Sequence, residues 1–401
     1  MIKGLIKKIL NIIIFSYFKS LFSKRIKALD KFCSLRNIKD VFVLFEGGFG
    51  HTISESSIIE NYEEKDCCFV FFYQKRRFHN KFIKILNFKK VKIFYFEIPY
   101  LPKNYWDISI SKKIFNLIHN NLLNKDVKTF EKLEKKIKKK HQISSKLDLS
   151  DIHWYSKKHN FDIKKNFKTL IENSLNKKFN PKKKFNKILV SLRYKVDNDL
   201  SSQDRNGYNN LKNYLKLLEY LATKDNIILL YCDFKLSKKE VFFLRKYKNI
   251  IFSDQCINLS KDLLYLYFST NSNYVVTESG GSLVLPSLSE RKILSINCWP
   301  MKHITPNSLI LFKHIYDHKK QKLLDISEMI SNKFFYKGDY DLKKNGFSLI
   351  NNSSNEILNA FIELENKKKI YLNKNYRNFH KFSWSYANKN FLLSKSRKLK
   401  I

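Results

Sequence analysis

The sequence predicts an α/β protein with two Rossmann-like domains, each built on a doubly wound parallel sheet, that face one cleft. Short apolar runs typical of buried strands alternate with helical patterns through most of the 401 residues. Five of the nine glycines lie in two loops, at 47–50 and 280–281, and each loop follows such a strand. The lysine-rich segment 177–186, which contains a proline, separates two series of alternating elements.

The first α/β domain is predicted at 41–176, after a basic amphipathic N-terminal segment at 1–40. Its predicted strands are 41–45, 67–73 and 91–96. The spacing of apolar residues predicts helices at 54–61, 114–140 and 167–175. Residues 177–186 then form the linker, because proline breaks the helix and the lysines keep the segment solvated.

The second α/β domain is predicted at 187–345, with a more regular alternation. Its predicted strands are 187–192, 227–232, 250–253, 274–277 and 293–297, and its predicted helices are 210–224, 237–246, 259–269 and 282–288. Such alternation is typical of a parallel sheet with helices on both faces. The remaining segment, 346–401, contains a helix at 354–367 and ends in a basic, aromatic tail.

The composition indicates a folded chain with a large positive charge. Hydrophobic residues make up 43% and aromatic residues 15%, which excludes an intrinsically disordered polymer. The net charge of +41 is typical of proteins that bind nucleic acid or anionic membranes. The lysines, however, are spread over the whole chain and accompany no nucleic-acid-binding motif. A coding bias toward lysine, asparagine, isoleucine and phenylalanine therefore explains the charge better than specific nucleic-acid binding.

The six cysteines show neither a CxxC pair nor the spacing of a metal site. Four of them, Cys67, Cys68, Cys232 and Cys298, lie in or beside apolar runs, where a thiol acts as a small core residue. We expect a reducing, cytoplasmic environment and no metal site.

The N-terminal residues 1–22 mix apolar and basic positions. Their longest uncharged run, Ile9 to Phe18, covers 10 residues, whereas a membrane-spanning helix needs ~20. No small-residue cleavage site follows, which argues against a signal peptide. Two interpretations stay open: an amphipathic helix lying on the anionic inner face of the plasma membrane, or a helix packed on its own domain.

The first glycine loop contains Gly47, Gly48 and Gly50 and ends at His51, after the first predicted strand. Ligands in open α/β sheets bind beyond the carboxyl ends of the strands. The loop completes neither a G-x-G-x-x-G fingerprint nor a P-loop. His51 can act as a general base near neutral pH, and Glu55 is the second candidate. The competing interpretation is a glycine turn in which His51 caps a helix.

Two arginines are informative in a chain whose basic residues are mostly lysines. Arg193 follows a predicted strand and Arg205 precedes a predicted helix, so both can reach one edge of the sheet. The planar guanidinium binds phosphate through paired hydrogen bonds that an ammonium cannot reproduce. Two Asp-x-Asp triplets, at 197–199 and 339–341, match a pattern of metal-dependent sugar transferases. Because such triplets are common, we interpret both as loop residues.

The second glycine loop, Ser-Gly-Gly-Ser at 279–282, is the most specific local signal in the chain. It lies between a predicted strand and a predicted helix, so its backbone amides and two hydroxyls are suited to a diphosphate. Glu278, directly before the loop, could accept hydrogen bonds from a ribose. A plain glycine turn without a ligand is the alternative interpretation.

Several segments resemble a bacterial family of glycosyltransferases from surface-polysaccharide gene clusters, for which a GT-B fold is predicted. They are the stretch 190–230, the loop at 279–282 with the strand that ends at Asn297, and the segment 348–357. The shared features are a Gly-His turn near the start, an arginine after an early strand of the second half, a Ser-Gly turn and an N-x-x-x-E-I helix start. The match follows most of residues 41–365 in order.

The Ser-Gly-Gly turn is also similar to the nucleotide-diphosphate site of UDP-sugar 2-epimerases, which share the GT-B architecture. Those enzymes usually follow the two glycines with a pair of glutamates, whereas Ser282, Leu283 and Val284 stand here. This departure favours a transferase over an epimerase.

The glycine loops and the resemblance together predict a metal-independent glycosyltransferase that uses a nucleotide-diphosphate sugar as co-substrate and no other cofactor. The acceptor would be a cell-surface glycan or a lipid-linked molecule, bound by the first domain with His51 or Glu55 as catalytic base. The second domain would bind the donor. The predicted donor-binding residues are Arg193, Arg205, Glu278, Ser279, Gly280, Gly281, Ser282 and Asn297.

Three alternatives stay open. A sugar epimerase of the same fold would convert a nucleotide sugar without an acceptor. A basic nucleic-acid-binding protein would bind its ligand with steep salt dependence. A catalytically inactive scaffold would bind neither ligand.

Overall fold

The structure is a computed structural model that divides into two compact units, Met1–Lys157 and Lys158–Ile401. It describes residues 12–13, 16–44, 53, 67–73, 84–87, 92–98, 108–122, 124–129, 132, 135, 162–179, 185–192, 211–232, 236–253, 257–278, 281–289, 291–299, 308–325, 328–329, 332, 334, 339–366 and 391–393. The division falls before the linker that the sequence predicts at 177–186, so the helix around Ile171 groups with the second unit rather than the first.

The first unit contains a four-stranded parallel sheet with strand order β3-β2-β1-β4. Its described elements are α1 (Lys19–Ser34), β1 (Asp40–Leu44), β2 (Cys67–Tyr73), β3 (Lys92–Glu97), α2 (Ile108–Asn121) and β4 (Asp126–Thr129). The strands are continuous apolar runs, as is typical of parallel sheets covered on both faces. Their buried side chains include Val41, Val43, Cys68 and Val70. The helices α1 and α2 add buried side chains to the same core.

The prediction of one continuous helix at 114–140 is wrong for the described residues 122 and 124–129. Helix α2 ends at Asn121, and β4 follows as a strand that pairs with β1 through Val41 and Val127. Asn120, Asn121 and Asn124 are poor helix formers, whereas Val127 is buried. Tertiary pairing therefore overrides the helical spacing of the apolar residues in this stretch.

The second unit contains a seven-stranded parallel sheet with strand order β14-β10-β9-β8-β5-β6-β7. Its elements are α3 (Lys165–Lys178), β5 (Asn186–Leu192), a 3-10 turn (Leu211–Tyr214), α4 (Leu215–Ala222), β6 (Asn226–Cys232), α5 (Lys238–Arg245), β7 (Ile250–Ile251), α6 (Lys261–Asn271), β8 (Tyr274–Glu278), α7 (Gly281–Leu288), β9 (Lys292–Cys298) and β10 (Ser308–Phe312), and later α9 (Ser354–Asn366) and β14 (Phe391–Leu393). The elements predicted in this unit lie close to the observed bounds, in part because serines cap two of the helices. Ser237 forms a capping box with Glu240, and Ser260 accepts from the Leu263 amide. Strands β10 and β14 were not predicted.

The main core of this unit lies between the sheet and helices α4 and α9. Leu217, Leu221, Phe361 and Leu364 are fully buried there against the strands. Helix α6 packs on β5 and β6 and on α3. Among the described cysteines, Cys33, Cys67, Cys68, Cys232 and Cys298 are buried. The prediction that the last four of these act as core residues is confirmed.

A three-stranded antiparallel sheet, β12-β11-β13, adds to the second unit and was not predicted. It consists of β11 (His314–Asp317), β12 (Lys322–Leu323) and β13 (Phe347–Ile350), with α8 (Asp339–Lys344) between the last two strands. The triplet 339–341 therefore begins a helix instead of a loop, and Leu342 buries that helix in the core. The other Asp-x-Asp triplet, 197–199, lies outside the described residues.

Candidate functional site

The candidate site lies where the strand order of the second unit changes direction. From β5 the chain adds β6 and β7 on one side, and then β8, β9 and β10 on the other. Strands β5 and β8 are parallel neighbours, with Ser191 paired to Thr277. The chain therefore leaves both strands at the same edge of the sheet. Ligands of open α/β sheets bind at this switch point.

The structure describes four of the predicted donor-site residues. Glu278 is the last residue of β8, Gly281 and Ser282 begin α7, and Asn297 lies near the end of β9. The predicted residues Arg193, Arg205, Ser279 and Gly280 lie outside the described residues, as do Gly47, Gly48, Gly50, His51 and Glu55 of the first unit. Their roles stay predictions.

A buried tyrosine brings Glu278 and Asn297 together. The hydroxyl of Tyr214, at the end of the 3-10 turn, donates a hydrogen bond to Glu278 Oε1, and the Asn297 amide donates to the same hydroxyl. Tyr214 is 0%, Asn297 3% and Glu278 6% exposed. Burial raises the pKa of Tyr214 well above its usual range, and the adjacent carboxylate raises it further. The hydroxyl therefore stays protonated and serves as the donor to a buried carboxylate.

Asn297 is fixed in turn by a reciprocal pair of hydrogen bonds with Asn352. Each backbone N–H donates to the other's side-chain oxygen at 2.7 Å. Asn297 has φ of 47°, a left-handed conformation that asparagine adopts more readily than most residues. The Asn352 Nδ2 also donates to the Phe312 carbonyl at 2.8 Å. The end of β9, the end of β10 and the segment before α9 are thus tied to one another.

Ser282 connects the first turn of α7 to the end of β8. Its Oγ lies 2.9 Å from the Thr277 hydroxyl and 3.4 Å from the Glu278 carbonyl. Its own carbonyl accepts from the Tyr265 hydroxyl at 3.2 Å. These contacts fix the N-terminus of α7 close to the carboxyl end of β8, where an anion is favoured by the amides of the first turn.

The start of α9 is fixed by a capping box beside a partly buried histidine. Ser353 donates from its N–H and its hydroxyl to Glu356 Oε2, both at 2.8 Å, and the Glu356 N–H donates back at 3.3 Å. His314 Nε2 donates to Glu356 Oε1 at 2.8 Å. Burial opposes ionisation of Glu356, but the hydrogen bonds from His314 and Ser353 outweigh it and lower the pKa of the carboxyl to about 2.

Sequence reasoning missed Tyr214 and His314 at this site. Tyr214 lies inside an apolar pattern, which indicates a core residue, and nothing local points to a partner 64 residues away. Asn352 and Glu356 left a signal, because they are the first and fifth positions of the N-x-x-x-E-I segment. Their structural role, to fix Asn297 and the start of α9, emerges only from the fold.

Comparisons with known proteins identify no family for this chain. No protein-family model and no curated protein matches the sequence. Among solved structures, two variants of the wall teichoic acid polymerase TagF are similar, each with 11% sequence identity and a TM-score of 0.25. Each alignment covers 74% of this chain and 79% of the TagF chain.

The described part of the chain contains neither a candidate membrane-spanning helix nor a candidate metal site. No helix there is both long and apolar enough to cross a membrane. Across the same residues, no group of three or more His, Cys, Asp or Glu side chains is placed to hold a metal ion.

Proposed function

We propose that the chain is a GT-B-like glycosyltransferase that moves a sugar from a nucleotide-diphosphate donor to a cell-surface glycan or lipid-linked acceptor. One observation carries the proposal: four strands follow the same order in both sheets, β3-β2-β1-β4 and β7-β6-β5-β8, and each glycine loop follows a strand at the switch point. In the first unit that point lies between β1 and β4, and in the second between β5 and β8. Two Rossmann-like domains, each with a ligand loop at this edge of its sheet, suit a donor and an acceptor.

The donor would bind at the second unit. The loop at 279–282 joins Glu278 to α7, so its amides would hold the diphosphate at the N-terminus of that helix. Arg193 directly follows β5, the neighbour of β8 in the sheet. Together with Arg205 it would offset the charge of the leaving diphosphate, without a metal ion. Glu278 and Asn297, whose buried side chains are hydrogen-bonded to Tyr214 and Asn352, would position the strand ends that border the donor.

The acceptor would bind at the first unit. The loop that contains Gly47, Gly48 and Gly50 directly follows β1, which lies beside β4 at the change of strand order. His51 is proposed as the base that takes the proton from the acceptor hydroxyl, with Glu55 as the second candidate. We place the reaction at the cytoplasmic side of the cell envelope, where nucleotide sugars are co-substrates.

A thermal-shift screen against UDP-, GDP-, dTDP- and CMP-sugars tests the proposal. A donor present at about 100 times its dissociation constant stabilises the folded state by ~2.7 kcal/mol, which raises the unfolding temperature measurably. We expect one nucleotide-diphosphate sugar to do so, and CMP-sugars, which carry a single phosphate, to fail. Absence of any shift contradicts the proposal. Conversion of the donor to a 2-epimer without acceptor would support the epimerase instead.

A matched pair of variants assigns the diphosphate contact. We expect Arg193→Ala to weaken donor affinity roughly ten- to a hundredfold, because charge-assisted hydrogen bonds contribute about 1.5–3 kcal/mol. Arg193→Lys should restore it in part, since the ammonium lacks the planar fork. Arg245→Ala, on the exposed side of α5, serves as control. Calorimetry measures all three, and unchanged affinity in Arg193→Ala removes this residue from the site.

A further inference from the structure

The N-terminal helix presents two different faces. One face of α1 packs on the sheet of the first unit, and its buried side chains are Phe22, Ile26, Leu29 and Cys33. Phe22 packs against Phe96 of β3 with ring centroids 6.4 Å apart, and Phe18 packs on Phe22 at 6.3 Å. The chain from Phe18 onward therefore belongs to the domain core. The sequence left open that the whole segment 1–22 faces a membrane. The burial of Phe22 restricts a membrane-facing surface in this segment to residues before Phe18.

The described residues before Phe18 include exposed apolar side chains instead. Ile12 is 56%, Ile13 57% and Tyr17 79% exposed. Elsewhere among the described residues, large hydrophobic side chains with comparable exposure occur singly in the sequence, at Leu35, Leu170, Phe242, Leu323 and Ile350. Single exposed apolar residues are ordinary, whereas a cluster indicates an interaction surface.

Positive charge continues from this cluster along the outer face of α1. Lys24, Lys27 and Lys31 are exposed and follow one another at intervals of three and four residues, so they share one face of the helix. Phe22, Ile26, Leu29 and Cys33 occupy the opposite face. Asp30 is the single acidic residue of α1. Exposed apolar side chains at Ile12, Ile13 and Tyr17 are thus followed along the chain by exposed lysines on the outer face of α1.

We propose that this surface, formed by Ile12, Ile13, Tyr17 and the exposed lysines of α1, docks on a bilayer that contains anionic lipid. Amphipathic helices bind such bilayers by inserting apolar side chains while lysines remain near the phosphates. Tyrosine is favoured at the membrane–water interface. Because the buried face holds α1 on the domain, the helix would lie along the bilayer surface. Vesicle binding is measured without a nucleotide sugar, so this inference stands or falls separately from the proposed function.

Sedimentation of the full-length protein with vesicles tests the docking surface. The vesicles are phosphatidylcholine with and without phosphatidylglycerol. We expect binding to the anionic vesicles, and a partition coefficient at least about tenfold lower for Ile12→Ser/Ile13→Ser/Tyr17→Ser, because less apolar area enters the interface. The reversal Lys24→Glu/Lys27→Glu/Lys31→Glu should lower it at least about tenfold at low salt, with a smaller effect at high salt.

Matched controls in α5 separate this surface from the net charge of the chain. Phe242→Ser removes an equally exposed apolar side chain, and Lys238→Glu/Lys239→Glu/Lys246→Glu makes the same change in net charge at exposed positions. Both controls should retain most of the binding. Equal losses in controls and test variants, or no loss in the test variants, overturn the proposal. Light scattering measures whether the protein self-associates. If the serine variant loses self-association while its vesicle binding is unchanged, the surface contacts a second copy of the chain and the proposal is overturned.

Discussion

Glu278 has a buried carboxylate at the end of β8. The cost of burying this charge depends on the groups that donate hydrogen bonds to it. A buried carboxylate without a donor is costly, because water no longer solvates its charge. Tyr214 supplies that donor, and burial together with the carboxylate keeps the tyrosine protonated by raising its pKa. Asn297 donates to the same hydroxyl, so the three side chains form one buried polar cluster. The cluster fixes the residue that precedes the glycine loop.

Removing the tyrosine hydroxyl tests this cluster. Tyr214→Phe keeps the ring, and we expect it to lower the free energy of unfolding by about 1–3 kcal/mol, because Glu278 then loses a donor in a buried site. Urea unfolding followed by circular dichroism measures the change. Tyr220→Phe is the control, since Tyr220 donates to Glu365 at 2.6 Å in a partly exposed position. Equal losses in the two variants would mean that the buried pair contributes no more than the partly exposed one.

Residue-level prediction from the sequence reached some members of this cluster and not others. Glu278 could be named because it ends a strand before a glycine loop, where ligands are expected. Asn297 could be named because it ends a predicted strand in the segments that carry the family resemblance. Tyr214 could not, because one tyrosine in an apolar helix pattern has the same signature whether or not its hydroxyl meets a carboxylate. The partner is supplied by the order of the strands, which local spacing does not encode.

At the scale of elements, strands buried on both sides were the easiest to predict. The bounds predicted for β2, 67–73, are those observed. The antiparallel strands β11 and β12 were missed, because they have 4 and 2 residues and carry charged side chains. Such short strands are stabilised by pairing with β13 rather than by their own composition.

The start of α9 provides a pH-dependent test at this scale. The pKa of Glu356 is lowered from 4.5 to about 2 in the folded protein. The ionised carboxylate therefore adds stability above its unfolded pKa, and the contribution is lost as the pH falls toward the folded value. The difference corresponds to at most about 3 kcal/mol. We expect the urea midpoint of the wild type to fall between pH 5 and pH 3 in part for this reason.

A histidine variant isolates the contribution of Glu356. His314→Gln removes the imidazole that lies 2.8 Å from Glu356 Oε1, so the carboxyl pKa should rise. The variant should be less stable than the wild type at pH 5, and the gap should narrow toward pH 3, where Glu356 begins to be protonated in both. His318→Gln is the control, because His318 contacts the Ser348 hydroxyl at an exposed position. A gap that stays constant with pH contradicts the assigned role of His314.

At the scale of the whole molecule, the two units share one topological plan. Each places the first strand of its sheet in the interior, adds two strands on one side and then returns to the other side. Alternation of strand and helix patterns in the sequence predicted the two parallel sheets. It did not place the division between the units, because α3 packs on α6 of the second unit although it precedes the lysine-rich linker. Contacts between elements distant in sequence decide that grouping.

This plan predicts which part of the molecule responds to a donor. The amides of the first turn of α7 have no partners within the helix, so a bound diphosphate should hydrogen-bond to them and slow their exchange with solvent. In hydrogen–deuterium exchange on the full-length protein, we expect a nucleotide-diphosphate sugar to protect peptides that cover 281–289 and the end of β5, and to leave β2 and β3 unchanged. The nucleoside monophosphate of the same base is the control and should protect α7 less, because it lacks the second phosphate. Protection confined to the first unit would contradict the assignment of the donor to the second unit. Equal protection by the monophosphate would show that the loop at 279–282 does not bind the diphosphate.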